Sequence, residues 1–399
     1  MSRVCWHCGS STDDDRRVRC DCGEPLWLDT DPATVPDAWP GRVESMWDVL
    51  DLLGVETPEA AAGVATAAGG TPLIRTASLD TDGVAVHVKH EGLNPTGSFK
   101  DRGTAFGVSA ALERGEDRIG TVSHGNMAES VAAHAAASGM ECTVLVPADI
   151  ADERLAAIAR FDPRLVRVDG DYGQLYYDAL DVGREAGVRF LNSDAPWRVA
   201  GQATTALEVL TQAHRSGAGT DMPDALVLPV SSGGHASGTW QAVRSLTEAG
   251  LLDSPPKLCF VQAAACAPIA EAFARGDDEV TAVEGGETIA YSIANADPPS
   301  GNRALAAARA TDGAVVAVDD DAIERAGERY ASAGLAVEPA SATTLAALDP
   351  LRERGTLEDG DTVALVATGR GFGDARTGIE TERVALSELG VLFDRTQLP

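Results

Sequence analysis

Of the 32 lysine and arginine residues in this chain, only Lys89, Lys100 and Lys257 are lysine. If the chain carries an aldehyde as a Schiff base, one of these three must hold it, because a guanidinium stays protonated at any working pH and cannot act as the amine nucleophile. Lys100 stands apart by its setting. It lies in Asn94-Pro95-Thr96-Gly97-Ser98-Phe99-Lys100-Asp101-Arg102-Gly103, where glycine, serine and threonine supply backbone and hydroxyl donors. Lys89 falls in an alternating strand pattern and Lys257 follows Pro255-Pro256 ahead of a hydrophobic run, both settings of ordinary surface lysines.

Three further glycine-bearing loops follow expected strands. In Ser123-His124-Gly125-Asn126-Met127-Ala128 the small residues let amides at a helix start meet a carboxylate, and Asn126 adds a side-chain donor. In Pro229-Val230-Ser231-Ser232-Gly233-Gly234-His235-Ala236-Ser237-Gly238 consecutive small residues make a concave set of N–H donors suited to a phosphate dianion. That run matches neither the Walker pattern nor the dinucleotide fingerprint, so it points to a small phosphorylated cofactor. In Ala367-Thr368-Gly369-Arg370-Gly371-Phe372-Gly373-Asp374 the Thr368 hydroxyl is placed to reach a neutral ring nitrogen.

The elements that must carry these loops alternate. Strands are expected at Val84 to Val88, Ile119 to Ser123, Cys142 to Val146, Leu165 to Val168, Ala225 to Pro229, Leu258 to Ala263, Ala314 to Val318 and Val363 to Ala367. Helices fit at Thr104 to Leu112, Met127 to Ser138, Ile150 to Ala159, Tyr172 to Ala186, Gly201 to Ala213, Gly238 to Glu248, Pro268 to Ala274, Ala322 to Ala333 and Ser341 to Leu348. Repeated βα units of this kind imply parallel sheets covered on both faces. Upstream, an Asp- and Pro-rich linker over 29–40 leads to a helix expected from Ser45 to Leu53, an alanine-rich stretch and the turn Gly69-Gly70-Thr71-Pro72-Leu73. No internal repeat is visible.

Cys5, Cys8, Cys20 and Cys22 crowd the first 22 residues as Cys-x2-Cys and Cys-x-Cys, while Cys142, Cys259 and Cys266 sit in apolar contexts that predict buried thiols. Two close thiol pairs across a short loop can converge on a tetrahedral zinc, giving a zinc-ribbon-like segment over residues 1–30 with a structural metal and His7 outside the ligand set. The net charge of −29 repels nucleic acid and anionic membranes, which excludes both as expected partners. With so little lysine, this acidity fits a protein kept soluble in high salt. No apolar run reaches spanning length and Met1-Ser2-Arg3-Val4-Cys5 lacks a signal-peptide core, so a cytoplasmic location is expected.

From Cys5 to Asp374 the chain resembles the threonine synthase branch of the fold-type II, tryptophan-synthase-β-like pyridoxal-phosphate enzymes. The resemblance rests on Asn94 to Gly103 with Asp101 directly after Lys100, Asn192-Ser193, Arg198-x-x-Gly201-Gln202-x-Thr204, Val261-Gln262 before Ala267-Pro268-Ile269, Ala294-Asn295 before Pro298, and Val337-Glu338-Pro339-Ala340-Ser341-Ala342. The amino-terminal cysteine cluster also occurs in some members. The resemblance implies two three-layer α/β domains with pyridoxal 5'-phosphate in the cleft between them. Residues 31–104 and 199–399 would make the large domain, and 105–198 a smaller mobile one.

The resemblance also assigns roles. Lys100 becomes the Schiff-base and proton-transfer residue, Asn126 the donor to the ring oxygen, Ser231, Ser232, Gly233, Gly234 and His235 the phosphate cup, and Thr368 the partner of the ring nitrogen. Ser123, Gly125 and Asn126 would receive a substrate carboxylate. Arg198, with Asn192 and Ser193, would face the phosphate of O-phospho-L-homoserine, which with water would give L-threonine and phosphate in a homodimeric enzyme. The chain departs from the family pattern at His124 and Met127 (usually threonines), Ser232 and His235 (asparagines), Ala195 (often asparagine) and Gly373 (lysine). These departures keep open an alternative: a serine or threonine ammonia-lyase, or a cysteate-synthase-like enzyme using O-phosphoserine.

Overall fold

The computed structural model describes residues 1–371 except 62, 124, 149, 151, 171 and 216–221. In chain order the strands are β1 Arg3–Cys5, β2 Ser11–Thr12, β3 Leu26–Leu28, β4 Leu73–Arg75, β5 Ala85–His90, β6 Arg118–Val122, β7 Glu141–Pro147, β8 Arg164–Val168, β9 Arg189–Phe190, β10 Ala225–Pro229, β11 Lys257–Ala263, β12 Ala314–Val318 and β13 Thr362–Ala367. The α-helices are α1 Lys100–Glu113, α2 Asn126–Ser138, α3 Asp152–Ala159, α4 Tyr172–Ala186, α5 Pro196–Arg215, α6 Gly234–Glu248, α7 Pro268–Arg275, α8 Gly301–Ala310, α9 Asp320–Ser332, α10 Pro339–Ala346 and α11 Leu348–Glu353.

Two parallel sheets organise these elements. The larger has the order β12-β11-β10-β13-β5-β4 and is parallel throughout, apart from β4, which runs antiparallel to β5 at the edge. The smaller, β8-β7-β6-β9, is all parallel and lies in sequence between β5 and β10. Alternation along each strand of the large sheet fills two cores. Leu226, Leu228, Leu258 and Phe260 pack with Leu207, Leu210, Val243 and Leu246 of α5 and α6. Val227, Val261 and Leu365 pack with Tyr330, Leu345 and Leu351 of α9, α10 and α11. The first core continues through α2 to Ile119, Val144 and Val146 of the small sheet. Both faces of the large sheet are therefore covered, as the βα alternation predicts. In the short antiparallel sheet β2-β1-β3, Cys5 ends β1, and Cys8, Cys20 and Cys22 lie in the loops beside it. No helix among the described residues is long and apolar enough to cross a membrane.

Several expectations need correction. The helix expected from Ser45 to Leu53 is instead two 3-10 turns, Met46–Asp48 and Leu50–Leu53. The Asp48 carboxylate captures the amides of Glu44 and Ser45 at 2.7 and 2.9 Å, and Leu50, Leu52 and Leu53 are all fully buried, so the segment has no single apolar stripe for an α-helix to present. Leu73 begins a strand rather than ending a turn, and Pro350 lies inside α11, after the helix expected from Ser341 has broken at Ala347.

The largest correction concerns Lys89, which is not a surface lysine. It is fully buried, because β5 is flanked by β13 and β4 and covered by α5. Its Nζ donates to Glu208 Oε2 at 2.6 Å, to the Thr71 carbonyl at 2.5 Å and to Gln212 Oε1 at 3.0 Å. Arg102 completes a neutral quartet, forking onto Glu91 at 2.6 and 2.7 Å and onto Glu208 at 2.6 and 2.8 Å. Burial disfavours the Glu91 carboxylate, but Arg102 and then Lys89 outweigh it and hold its pKa down at about 2. Truncating Glu208 leaves two buried cations with one carboxylate. Glu208→Ala is therefore expected to cost about 3–5 kcal/mol in a urea unfolding titration. A loss below ~1 kcal/mol would show that the quartet is not what fastens α1 and α5 to β5.

Candidate active site

The strand order places the four loops together. β10, β13 and β5 are neighbours, and each is followed at its carboxyl end by one of the loops singled out above. The chain moves outward from β10 to β11 on one side, while β13 and β5 lie on the other, so the loops sit where the sheet changes direction. The fourth loop follows β6 of the small sheet and opens α2.

Lys100 is the first residue of α1. Its loop is zipped to the one after β13: the Phe99 amide donates to the Thr368 carbonyl at 2.9 Å and the Arg370 amide to the Gly97 carbonyl at 3.0 Å. Asp101 explains why an acid follows the lysine. Its carboxylate accepts from the Thr96 amide at 2.7 Å, from Thr96 Oγ1 at 2.8 Å and from Ser130 Oγ of α2 at 2.7 Å, tying the loop to itself and to the neighbouring helix. Lys100 Nζ lies 4.1 Å from the centre of the Phe99 ring. Desolvation first, then the charge of Arg198, lowers its pKa to about 7, against an opposing pull from Glu338. The amine is thus available as a neutral nucleophile near pH 7.

Gly233 opens α6 at φ +88, and a Cβ there would meet the Ser300 carbonyl at 2.5 Å, so the turn demands glycine. The first-turn amides of α6 have no intrahelical partners and face outward from the helix start. Ser231 and Ser232 are half-buried beside them. The His235 ring stacks on Phe99 at 4.1 Å, and its Nε2 pairs with Thr205 Oγ1 at 3.1 Å. Burial and then the Lys100 charge push its pKa well below the usual histidine range, so the ring is neutral. Its Nδ1 is buried without a hydrogen-bond partner among the described residues.

Asn126 begins α2, and its Nδ2 donates to Glu338 Oε2 at 2.8 Å. Thr368 Oγ1 donates to Glu338 Oε1 at 3.2 Å and meets Ser341 Oγ at 3.0 Å. Glu338 thus engages the two donors expected at a ring oxygen and a ring nitrogen. Sequence reasoning includes it within Val337 to Ala342 but gives it no role. The available signal is an acid directly before the helix-starting Pro339, a position that opens α10 next to the loop after β13. Ser123 and Gly125 precede Asn126, and Ser123 Oγ accepts from the Gly125 amide at 3.4 Å. His124 and Phe372-Gly373-Asp374 lie outside the described residues.

The three residues expected around a substrate phosphate are placed unequally. Arg198 is fully buried beside Lys100, donating to Thr104 Oγ1 at 2.6 Å and to the Lys100 carbonyl at 3.4 Å, with Nε left without a hydrogen-bond partner among the described residues. The Asn192 side chain braces backbone: its Oδ1 accepts from the Val122 amide at 3.0 Å and its Nδ2 donates to the Tyr176 carbonyl at 3.4 Å. Ser193 is half-buried and its carbonyl accepts from Gln202 Nε2 at 3.1 Å. Away from these loops, the sulfurs of Cys5, Cys8, Cys20 and Cys22 all lie within 4.8 Å of one another, and His7 is exposed.

A buried amine with a pKa of about 7, a helix start open at a glycine turn and an orphaned buried His235 Nδ1 together fit a phosphorylated aromatic aldehyde. Comparison with known proteins agrees. Residues 64–369 match the family model described as "Pyridoxal-phosphate dependent enzyme", and the chain belongs to that family. The fold is that of fold type II. The structure of maize serine racemase superposes with a TM-score of 0.65 at 23% identity, covering 76% of this chain and 89% of that one. Threonine deaminase isoform 2 from Solanum lycopersicum gives 0.65 at 19% identity over 92% of this chain and 95% of that one. Sequence relatives narrow the family to its threonine synthase branch. The threonine synthase of Methanocaldococcus jannaschii is 33% identical over 95% of this chain and 94% of its own, and that of Mycobacterium bovis is 34% identical over 88% and 93%.

Proposed function

We propose that the chain is a threonine synthase converting O-phospho-L-homoserine and water to L-threonine and phosphate. The observation that carries this reading is the 33% identity to a threonine synthase over 95% of the chain, which includes the loop that places Lys100. When bound, pyridoxal phosphate supplies an electron sink for negative charge at the substrate's α and β carbons. Ser231 to His235 would hold its phosphate through their amides, and Asn126 and Thr368 would hold its ring. For the last two to act, Glu338 must yield both donors.

Ser123, Gly125 and Asn126 would hold the substrate carboxylate and Arg198 with Ser193 its phosphate, while Asn192, whose side chain bonds the Val122 amide and the Tyr176 carbonyl, braces the backbone behind them. Lys100 takes protons from Cα and Cβ and returns them where the product needs them, a task its lowered pKa suits. Phosphate leaves from Cγ and water adds at Cβ. Residues 105–198 act as the smaller domain, closing to exclude bulk water, and the working unit is a homodimer. A second reading, a serine or threonine ammonia-lyase, draws on Met127 and Ala195, where the family's usual donors are absent. The ratio of kcat/KM for phosphate release from O-phospho-L-homoserine to that for 2-oxoacid formation from L-threonine or L-serine separates the two. A ratio below one selects the lyase.

The four cysteines are read as a structural zinc site. Cys5 Sγ–Cys22 Sγ and Cys8 Sγ–Cys20 Sγ are 3.6 and 3.5 Å apart. Tetrahedral zinc thiolates with bonds of about 2.3 Å put sulfurs roughly 3.8 Å apart, so small shifts would seat the ion. Elemental analysis of the purified chain is expected to find one zinc per chain, lost in Cys20→Ser together with thermal stability. Substoichiometric metal in a fully folded wild-type sample would contradict the site.

A further inference from the structure

The segment from Asp15 to Leu26, which spans the second cysteine pair, touches elements that flank both sheets of the fold. On the small-sheet side, Asp15 accepts from Arg114 Nε at 2.9 Å through its carboxylate and from Arg189 Nη1 at 2.6 Å through its carbonyl, and Arg16 reaches Glu116 at 3.1 Å. On the large-sheet side, Asn302 Nδ2 donates to Glu24 Oε1 at 2.7 Å, and Arg303 reaches the carbonyls of Pro25 and Leu26 at 3.4 and 3.3 Å. Arg19, directly before Cys20, stands between these contacts.

Arg19 Nη1 donates to the Gly23 carbonyl of its own segment at 2.6 Å, while Nη2 donates to the Pro299 carbonyl at 2.7 Å and reaches Asp194 Oδ2 at 3.4 Å. Its guanidinium lies over the Tyr177 ring of α4, 5.2 Å from the centre. Asp194 is fully buried, directly follows Asn192-Ser193, and leaves Oδ1 without a hydrogen-bond partner among the described residues. Its Oδ2 also accepts from Ser300 Oγ at 3.2 Å. Ser300 in turn braces the phosphate cup: its amide donates to the Ser232 carbonyl at 2.8 Å and its own carbonyl packs against Gly233. Arg303 closes the circuit through Ser237 Oγ at 2.7 Å, which donates to the Gly233 carbonyl at 2.6 Å.

Removing Arg19 takes from the buried Asp194 carboxylate one of the cations that face it, Arg303 being another, and the carboxylate relaxes by moving or by admitting water. Asp194 can do so only by displacing the 192–195 loop or Ser300, and with Ser300 the turn at Ser232-Gly233. We propose that Arg19 is a positioning residue for the active site, holding the Ser231–His235 cup and the Asn192–Ala195 loop in register through Asp194 and Ser300. This rests on the reading of Ser231–His235 as the cofactor-phosphate cup. The cysteine-rich segment then does more than cap the fold: it fixes one wall of the cleft.

The test is hydrogen exchange on the full-length chain without added cofactor, comparing wild type with Arg19→Met, Asp194→Asn, the double variant and Arg42→Ala, which removes only a surface pair with Glu44. Arg19→Met is expected to speed exchange over residues 191–195 and 231–235 by about tenfold while Arg42→Ala leaves them unchanged. The double variant is expected to show less than the sum of the single effects, because the neutral amide that Asp194→Asn introduces no longer needs the cation. Pyridoxal phosphate is expected to bind Arg19→Met about tenfold more weakly than wild type. Exchange within twofold of wild type in both segments, or strictly additive effects of the two substitutions, would overturn the proposal. Exchange is read without cofactor, so failure of the wild type to take up pyridoxal phosphate would defeat the functional reading separately.

Discussion

Lys100→Ala is expected to abolish turnover, with a loss on the order of 10⁴-fold or more, because one side chain both carries the cofactor and moves the protons. The expectation can be checked without activity. Borohydride reduction of the wild-type chain with pyridoxal phosphate should fix the cofactor to a single peptide, the one containing Lys100. The other two lysines are occupied: Lys89 is sealed in its quartet with Glu91, Arg102 and Glu208, and Lys257 Nζ donates to the Thr356 carbonyl at 2.7 Å beside Asp361. Lys100→Ala should therefore show no label anywhere in the chain. Equal labelling of Lys257 in the variant and wild type would contradict the assignment of a unique carrier.

Arg198→Met carries the second largest expected effect, and it acts on two observables. As the partner of a substrate phosphate, the guanidinium contributes charge-assisted hydrogen bonds whose loss costs about 3 kcal/mol, so KM for O-phospho-L-homoserine should rise roughly 10²-fold. As a neighbour of Lys100 it also lowers that amine's pKa, which stands at about 7. The sign follows directly. Cofactor uptake needs the neutral amine, so its rate should climb as pH rises through about 7 in wild type and level off above. Without the Arg198 charge the ammonium is less disfavoured, the pKa rises, and the midpoint should move to higher pH. Arg198→Lys keeps the charge but loses the fork, so it should raise KM while leaving the midpoint near its wild-type position. Stopped-flow uptake across pH 6 to 9 reads the midpoint. A midpoint unmoved in Arg198→Met would show that the charge is screened from Lys100.

The parts of this molecule that are legible in its sequence are those governed by local rules. Strand pattern and glycine loops locate the four carboxyl-end turns, and β10, β12 and α4 fall on the expected residues. What stays hidden depends on contacts between distant segments. Lys89 reads as a surface residue because an alternating strand with a polar tip looks the same at an exposed edge as under a helix, and only α5, more than a hundred residues later, buries it. Glu338 is invisible as a site residue because its partners Asn126 and Thr368 lie far away in sequence. Arg19 and Asp194 give no signal at all: one stands in a cysteine-rich loop, the other in a short turn, and their pairing exists only once the amino-terminal segment has docked.

Conversion of a phosphorylated homoserine into threonine by the proposed synthase can be followed by incubating the holoenzyme with O-phospho-L-homoserine in ¹⁸O-labelled water and analysing both products. Phosphate and threonine are expected in equal amounts, with one solvent oxygen on Cβ of the threonine and none in the phosphate beyond exchange. Absence of phosphate release, or release accompanied by ammonia and a 2-oxoacid in place of threonine, would contradict that conversion.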